Sequence, residues 1–273
     1  MTYPQICDRL AKAGIENAAW DAQLLLEHFC GVDRQMLRSD PARSYNSPAL
    51  LSAVARRATR YPLQYLLGEW PFYRQTYEVS PDCLIPRSDT EILVEEAIKR
   101  LPANAVFADL CTGSGCIAIS TLAERPDTRA VAVEKFQATL DLAIRNAEKN
   151  RVADRFEGRL SDVLSDGFLP AGTTYDAILS NPPYIRQDVL ATLDPELEAE
   201  PRAALDGGAD GLMFYRAILK YGAKHLNPGG CFLFEIGFDQ AEALRALGAQ
   251  AGFCNVSLLR DFGGCDRVAV LSK

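Results

Sequence analysis

Apolar segments of strand length alternate with amphipathic segments of helix length after residue 84, and this alternation limits the possible folds more than any other feature. Most of the strand segments are largely apolar, which is typical of strands buried on both faces. Strands that alternate with helices predict a parallel sheet with helices on both sides. The predicted strands are residues 105–110, 128–133, 155–160, 175–180 and 231–236. The predicted helices are residues 116–123, 138–149, 212–226 and 240–251.

Two more strands, residues 256–260 and 267–271, are predicted at the end of the sequence. The short connection between them allows them to pair as an antiparallel hairpin. The sequence therefore predicts an α/β, Rossmann-like domain with a mostly parallel, seven-stranded sheet and an antiparallel last strand.

The chain is predicted to contain two domains joined by a short linker. Residues 1–68 have the helical periodicity of a small helical domain. Residues 69–83 are rich in aromatic residues around a polar break, which predicts a β-hairpin linker. Residues 84–273 form the α/β domain. The spacing of Ser88 and Glu91 predicts a capping box at the start of its first helix.

Two amphipathic helices are predicted within the helical domain. The first is expected to start at Asn17, as a capping residue, and to end at Gly31. The second begins after Ser47, because the proline that follows it suits the first helical position. Three arginines of the second helix are expected on a solvent-exposed face, since charged helix faces are usually solvated. These arginines are Arg56, Arg57 and Arg60.

The composition excludes several classes of protein. With 48% hydrophobic and 24% charged residues, the chain resembles a soluble globular protein. A net charge of -7 argues against stable nucleic-acid binding, which draws on Lys and Arg. The eight cysteines include no Cys-x-x-Cys pair and predict buried thiols in a reducing compartment. The two histidines lack metal-ligand spacing, so no metal site is expected. No apolar run is long enough to enter a membrane, and we expect a cytoplasmic protein.

A glycine-containing loop follows the first strand of the α/β domain. Gly113 and Gly115 allow the backbone to turn sharply and to approach a ligand closely. The second strand ends in Glu134, and a carboxylate at this place can accept hydrogen bonds from both hydroxyls of a ribose. The loop and the carboxylate together predict a site for a nucleoside cofactor.

The loop alone does not decide which nucleoside binds, because Gly113, Gly115 and Ala118 also satisfy a dinucleotide fingerprint. Asp109, at the end of the first strand, would attract the ammonium of a methionine moiety but would make no favourable interaction with a pyrophosphate. Asp162, after the third strand, supplies a carboxylate where an adenine could lie. Both residues favour S-adenosylmethionine over NAD.

The segment Asn181, Pro182, Pro183 and Tyr184 follows the fourth strand. Proline has no N–H to donate, so the segment cannot continue a sheet. The side-chain carbonyl of Asn181 and the backbone carbonyl of Pro182 can together accept both hydrogens of a planar NH2 group, and Tyr184 offers a face for stacking. The segment therefore predicts a site for an amide or an exocyclic amine.

Together these residues resemble one family, the protein-(glutamine-N5) methyltransferases that modify peptide chain release factors. The resemblance covers nearly the whole chain and includes the small helical N-terminal part. Its motifs are residues 85–91 (Ile-Pro-Arg-Ser-Asp-Thr-Glu), 109–115, 181–185, 206–211 (Asp-Gly-Gly-Ala-Asp-Gly), 228–230 and 235–237.

The resemblance implies a class I methyltransferase fold. It implies methyl transfer from S-adenosyl-L-methionine, giving S-adenosyl-L-homocysteine, to the amide nitrogen of the glutamine in the Gly-Gly-Gln loop of release factors. The helical domain would recognise this substrate, and we expect a monomer. The implied cofactor residues are Asp109, Cys111, Thr112, Gly113, Ser114, Gly115, Glu134, Asp162, Val163 and Asn181. The implied substrate residues are Asn181, Pro182, Pro183 and Tyr184, and Asn181, Pro182 and Tyr184 would act in catalysis.

Three residues depart from the pattern of that family. Cys111 stands where glycine is usual, and Glu134 stands where aspartate is usual, but both substitutions keep the chemistry. Val163 stands where an aromatic residue often covers the adenine. The sequence leaves open which side chain covers the adenine instead.

Three other functions agree with part of the sequence. A nucleic-acid methyltransferase acting on adenine N6 or guanine N2 would need the same NH2 site. A nicotinamide-dependent oxidoreductase would use the same glycine loop, but it leaves the Asn-Pro-Pro-Tyr segment unexplained. A non-catalytic binding module could keep the nucleotide fold for contact with a partner.

Overall fold

The computed structural model describes all residues from 1 to 273 and contains two compact units. The first unit comprises Met1–Glu69 together with Leu193–Ala199. The second comprises Trp70–Thr192 and Glu200–Lys273. None of the helices combines the length and the apolarity that a membrane span requires.

The first unit is helical. Gly31, with a φ of 63°, ends the second of its helices in the left-handed region, where glycine is favoured. Asn17 precedes this helix as predicted, but its side chain makes no capping hydrogen bond. The Ser47 hydroxyl accepts a hydrogen bond from Leu50 N at 3.4 Å and caps the fourth helix. The helices are α1 (Tyr3–Lys12), α2 (Ala18–Cys30), α3 (Arg34–Ser39), α4 (Pro48–Arg57) and α5 (Leu63–Leu67).

The prediction of a solvated arginine face on α4 is wrong for Arg57. This residue is buried, and its Nε donates to Asp21 Oδ2 at 2.7 Å. Its Nη1 also lies 3.4 Å from Glu196 Oε1, and Arg60 Nη2 lies 2.6 Å from Glu196 Oε2. The partners could not be identified from helical periodicity, because Asp21 and Glu196 are distant in sequence.

The second unit begins with a two-stranded hairpin, β1 (Glu69–Phe72) and β2 (Gln75–Glu78), at the predicted place. The predicted capping box at Ser88 is wrong. Residues Ser88–Thr90 form a 3-10 turn, and no side chain caps the following helix. Glu91 Oε1 instead accepts a hydrogen bond from Tyr73 N at 2.9 Å, so the tertiary contact replaces the local one.

A seven-stranded sheet forms the centre of the second unit, and every predicted strand is present. Its strands are β3 (Val106–Leu110), β4 (Arg129–Glu134), β5 (Phe156–Leu160), β6 (Tyr175–Ser180), β7 (Leu226–Glu235), β8 (Asn255–Arg260) and β9 (Asp266–Ser272). The spatial order is β5-β4-β3-β6-β7-β9-β8. β3 to β7 are parallel, and β9 is antiparallel to both of its neighbours, as predicted for the last strand.

Helices cover both faces of this sheet because successive strand residues point to opposite sides. On β3, Phe107 belongs to one apolar core and Ala108 to the other. Both residues are fully buried, which explains the continuous apolar pattern of the strand. The covering helices are α6 (Glu91–Arg100), α7 (Cys116–Glu124) and α8 (Gln137–Lys149) on one face and α9 (Met213–Gly222) and α10 (Ala241–Gln250) on the other.

None of the eight cysteines forms a disulfide. Cys83, Cys116 and Cys231 are buried, as predicted, whereas Cys254 and Cys265 are exposed. The prediction of buried thiols is therefore wrong for the last two. They lie in the connections directly before β8 and β9, at the edge of the sheet, and are exposed there.

Candidate active site

The predicted site residues lie at the carboxyl ends of β3, β4, β5 and β6 or in the loops that follow these strands. These four strands are parallel and adjacent, so their carboxyl ends meet at one edge of the sheet. A cavity of about 290 Å³ opens at this edge. Nine of the predicted residues line it: Cys111, Thr112, Gly113, Ser114, Glu134, Asp162, Val163, Asn181 and Pro183.

The loop between β3 and α7 contains three residues with positive φ. Cys111 has a φ of 59°, Gly113 of 58° and Gly115 of 81°. Only glycine adopts such angles without a steric cost, so the backbone at Cys111 is strained where the family usually has glycine. A Cβ at Gly113 would come no closer than 3.5 Å to Cys83 Sγ, whereas one at Gly115 would lie 2.7 Å from Ile119 Cδ1. The positive φ favours glycine at position 115, and a Cβ there would also displace the side chain of Ile119 on α7.

Glu134 connects this loop to the end of β4. Its Oε2 accepts a hydrogen bond from Gly113 N at 3.1 Å, and its Oε1 accepts from Lys135 N at 2.9 Å and Phe136 N at 3.1 Å. Burial raises the pKa of Glu134, and these three N–H groups oppose the rise. A carboxylate has about four acceptor positions, so one position on Oε2 remains for a ligand hydroxyl.

Asp109 lies at the end of β3 but does not line the cavity. Its Oδ2 accepts hydrogen bonds from the Thr112 hydroxyl at 2.6 Å and from Ala118 N at 3.2 Å. Its Oδ1 is buried without a hydrogen-bond partner. Burial raises the pKa of Asp109 to about 7. The carboxylate therefore holds the start of α7 with one oxygen and keeps a second oxygen available to a donor.

Asp162 and Val163 follow β5 and line the cavity. Asp162 Oδ1 accepts from Leu164 N at 3.0 Å, and Lys135 Nζ lies 2.9 Å from its Oδ2. Burial would raise the pKa of Asp162, but these two partners outweigh it and hold the pKa below its usual value. Val163 is buried and presents an aliphatic surface.

The Asn-Pro-Pro-Tyr segment, residues 181–184, leaves the sheet at the end of β6. Ser180 holds the strand end, because its hydroxyl donates to Leu110 O at 2.6 Å. Pro182 and Pro183 are buried, while Asn181 and Tyr184 are half-buried. Asn181 Nδ2 donates to Thr90 Oγ1 at 3.3 Å, and the Tyr184 hydroxyl donates to Glu235 Oε1 at 3.3 Å. Burial, with the charge of Glu235 beside it, raises the pKa of Tyr184, so the phenol stays protonated.

The glycines of residues 206–211 pack against the backbone of this segment. A Cβ at Gly207 would lie 2.7 Å from Tyr184 Cα, and a Cβ at Gly211 would lie 2.4 Å from Tyr184 O. Gln240 Nε2 donates to both Tyr184 O at 3.0 Å and Gly211 O at 3.2 Å. The glycine motif therefore allows a close backbone approach that fixes Tyr184.

Several residues at the site were not predicted as site residues. Thr90 and Phe136 line the cavity, and Glu235 is buried at the end of β7. Arg87 also lines it and forms an ion pair with the buried Glu200, whose Oε2 accepts from Ile85 N at 3.0 Å. Thr90, Arg87 and Glu235 belong to motifs of the family resemblance, so their importance could have been inferred from the sequence. Their contacts could not, because nothing in the sequence indicates which residues they meet in the folded chain. Phe136 carried no signal other than its place after Glu134.

The chain is similar to known proteins in both of its parts. A family model described as PrmC N-terminal domain matches residues 4–68, and one described as Methyltransferase small domain matches residues 88–222. A methyltransferase of known structure from Pyrococcus furiosus has a TM-score of 0.54 and 20% identity, covering 71% of this chain and 86% of that chain. This likeness shows the fold alone.

Two curated relatives match nearly the full length. The release factor glutamine methyltransferase of Geobacter sulfurreducens is 43% identical over 264 residues, covering 95% of this chain and 91% of that protein. That of Cereibacter sphaeroides is 42% identical over 264 residues, covering 95% and 93%. The resemblance inferred from the motifs is confirmed, and the chain belongs to the release factor glutamine methyltransferase family.

Proposed function

We propose that this chain transfers a methyl group from S-adenosyl-L-methionine to the side-chain amide nitrogen of the glutamine in the Gly-Gly-Gln loop of peptide chain release factors. Membership of the family supports this activity. The single observation that carries it is that Asn181 lines the same cavity as the glycine loop and Glu134. An acceptor for an NH2 group thus lies beside a site suited to a nucleoside.

The residues of the cavity fit an adenosyl cofactor. The spare acceptor position on Glu134 suits a ribose hydroxyl, and the unpartnered Oδ1 of Asp109 suits the ammonium group of the methionine moiety. Gly113 lines the cavity, and the absence of a side chain there leaves room for a ligand against the loop. When bound, S-adenosyl-L-methionine supplies an electrophilic methyl group on a sulfonium.

Phe136 is proposed to cover the adenine where Val163 cannot. It is 47% exposed, lines the cavity and follows Glu134 by two residues. Its ring therefore lies near Glu134, the residue proposed to bind the ribose. Asp162, also in the lining, can accept a hydrogen bond from the exocyclic amine of the base.

Positioning of the acceptor amide is the main task of the Asn-Pro-Pro-Tyr segment. The nitrogen of an amide is a poor nucleophile, because its lone pair is delocalised into the carbonyl, so it must be held in line with the methyl group. Asn181 and the carbonyl of Pro182 can accept the two hydrogens of the NH2 group. They would also stabilise the positive charge that develops on nitrogen, and no strong general base is needed beforehand.

Three further features belong to this proposal. The helical unit of residues 1–68 recognises the release factor, for which the match to a dedicated N-terminal family model is the support. The enzyme acts as a monomer in the cytoplasm, where a reducing environment suits eight cysteines without a disulfide. It forms no stable complex with nucleic acid, in line with the net charge of -7.

The test is methyl transfer from labelled S-adenosyl-L-methionine, offered separately to an unmodified bacterial release factor, duplex DNA and structured RNA. Mass spectrometry locates the label. The expected result is label on the Gly-Gly-Gln glutamine and none on a release factor in which that glutamine is replaced by alanine. Label on nucleic acid alone would transfer the function to an adenine or guanine amino-methyltransferase. Binding of NADH without binding of S-adenosyl-L-methionine, measured by calorimetry, would overturn the cofactor assignment.

A further inference from the structure

Thr90 is a buried threonine that lines the cavity without capping a helix. It is only 2% exposed, and its side chain makes no hydrogen bond to the start of α6. Its hydroxyl lies 2.6 Å from Glu235 Oε2 and 3.3 Å from Asn181 Nδ2. The hydroxyl therefore connects a buried carboxylate to the predicted acceptor residue.

The single proton of Thr90 fixes the direction of this chain. When Glu235 is ionised, its carboxylate only accepts hydrogen bonds, so the hydroxyl donates its proton to Glu235. Thr90 Oγ1 then has only lone pairs left to offer to Asn181. An Asn181 carbonyl facing it would place lone pair against lone pair, whereas the NH2 group can donate. The NH2 end of Asn181 is thereby held at Thr90, and Oδ1 is the atom left to face the cavity.

Glu235 also holds the other end of the Asn-Pro-Pro-Tyr segment. Its Oε1 accepts the hydrogen bond from the Tyr184 hydroxyl, while its own backbone carbonyl accepts from the Tyr215 hydroxyl at 2.8 Å. One carboxylate at the end of β7 thus contacts Tyr184 directly and Asn181 through Thr90. All of these groups are part of the second unit.

We propose that Thr90 and Glu235 are positioning residues that set the orientation of the Asn181 amide, so that its carbonyl rather than its NH2 group meets the acceptor NH2 of the substrate. This inference rests on the proposed function for its effect on turnover. The orientation of the Asn181 amide is independent of any substrate. A reversed amide would place donor against donor and would not hold the glutamine.

The test compares Thr90→Val, which keeps the shape and removes the hydroxyl, with Thr90→Ser, which keeps the hydroxyl. We expect Thr90→Val to lower kcat on a release factor at least 10-fold, since one preorganised contact contributes a factor of about 10² to 10³ to kcat. The kcat of Thr90→Ser should remain within about threefold of that of the native chain. Binding of S-adenosyl-L-homocysteine, measured by calorimetry, should change less than threefold in both. Assays run at pH 8, where Glu235 is ionised.

A double-mutant cycle distinguishes positioning from a structural role. If Thr90 acts through Asn181, Thr90→Val has no further effect on kcat in an Asn181→Ala background. Equal effects of Thr90→Val in both backgrounds, or a Thr90→Ser variant as slow as Thr90→Val, would overturn the proposal. If Thr90→Val does not fold, Glu235→Gln replaces it in the cycle, because its amide can donate to Thr90 and release the fixed direction.

A second readout does not depend on turnover. The side-chain NH2 hydrogens of Asn181, followed by NMR in the 15N-labelled protein, should exchange with solvent more slowly in the native chain and in Thr90→Ser than in Thr90→Val. Identical exchange in all three would overturn the proposal even in an active enzyme. If the native chain methylates no release factor, the proposed function fails, and the exchange experiment still decides the orientation of Asn181.

Discussion

Replacement of Gly211 by alanine should loosen the Asn-Pro-Pro-Tyr segment without removing any polar side chain of the site. Gly211 has a φ of 74°, and a Cβ there would lie 2.4 Å from Tyr184 O and 2.7 Å from Gln240 Nε2. Real Cβ atoms do not approach so closely, so either the backbone of Tyr184 moves or Gln240 releases its two carbonyl partners.

The expected magnitude has two parts. An alanine held in the left-handed region costs about 1–2 kcal/mol. Overpacking against the carbonyl of Tyr184 adds about 1–3 kcal/mol. We therefore expect Gly211→Ala to lower the free energy of unfolding by about 2–5 kcal/mol. A displacement of the segment by about 1 Å should reduce kcat by about 10²-fold, because the acceptor amide would no longer be held in line.

Gly229 provides a matched control. Its φ is 80°, and a Cβ there would meet no atom within 4 Å. Gly229→Ala should therefore show the backbone strain alone, about 1–2 kcal/mol, with native kcat. Unfolding in denaturant measures the stability of both variants, and labelled methyl transfer under folding conditions measures kcat. If the two variants lose equal stability, or if folded Gly211→Ala keeps native kcat, the role assigned to the close backbone approach is refuted.

Three further predictions concern single side chains. Asn181→Ala should lower turnover by about 10²-fold or more, with near-native binding of S-adenosyl-L-homocysteine, and near-normal turnover would contradict its role as acceptor. Phe136→Ala should weaken calorimetric binding of S-adenosyl-L-homocysteine by about 1–3 kcal/mol, the range for a base stacked on an aromatic ring, whereas Phe262→Ala, which removes a fully exposed ring, should not. Burial raises the pKa of Glu235 from 4.5 to about 7, so the folded chain binds a proton that the unfolded chain has released, and stability falls as pH rises through this window. Glu235→Gln has no such proton to release, so between pH 5 and 7 its free energy of unfolding should fall less steeply than that of the native chain. The difference in slope should reach up to about 1.4 kcal/mol per pH unit. Denaturant titrations that give parallel curves for the two proteins would show that Glu235 does not titrate in this range.

The local sequence pattern was sufficient to place the strands that are buried along most of their length. β3 and β6 were placed to within one residue, because strands covered on both faces are apolar at most of their positions. Gly31 and Ser47 mark their helix ends through their own backbone and side-chain properties. Such features act over a few residues, so they can be inferred from the sequence.

Long-range partners were not predictable in this way. Ser88 and Glu91 have capping-box spacing, yet the carboxylate of Glu91 accepts a hydrogen bond from Tyr73 N. A donor that is more distant in sequence therefore takes the place of the predicted local donor. Arg57 looks like a surface residue by periodicity but is buried with Asp21. The capping box and the solvated position of Arg57 were wrong, because a local sequence pattern carries no information about contacts between residues that are distant in sequence.

The sequence by itself determined the α/β architecture, the family and the loops that hold the site, since strand periodicity, glycines and prolines act locally. Only the tertiary structure decided what surrounds each site residue. It brings Thr90, Asn181 and Glu235 together although 145 residues separate the first from the last. It also leaves Asp109 out of the cavity lining and places Phe136 in it. The orientation of a side chain depends on the partners that the folded chain brings to it, and these partners lie far away in sequence.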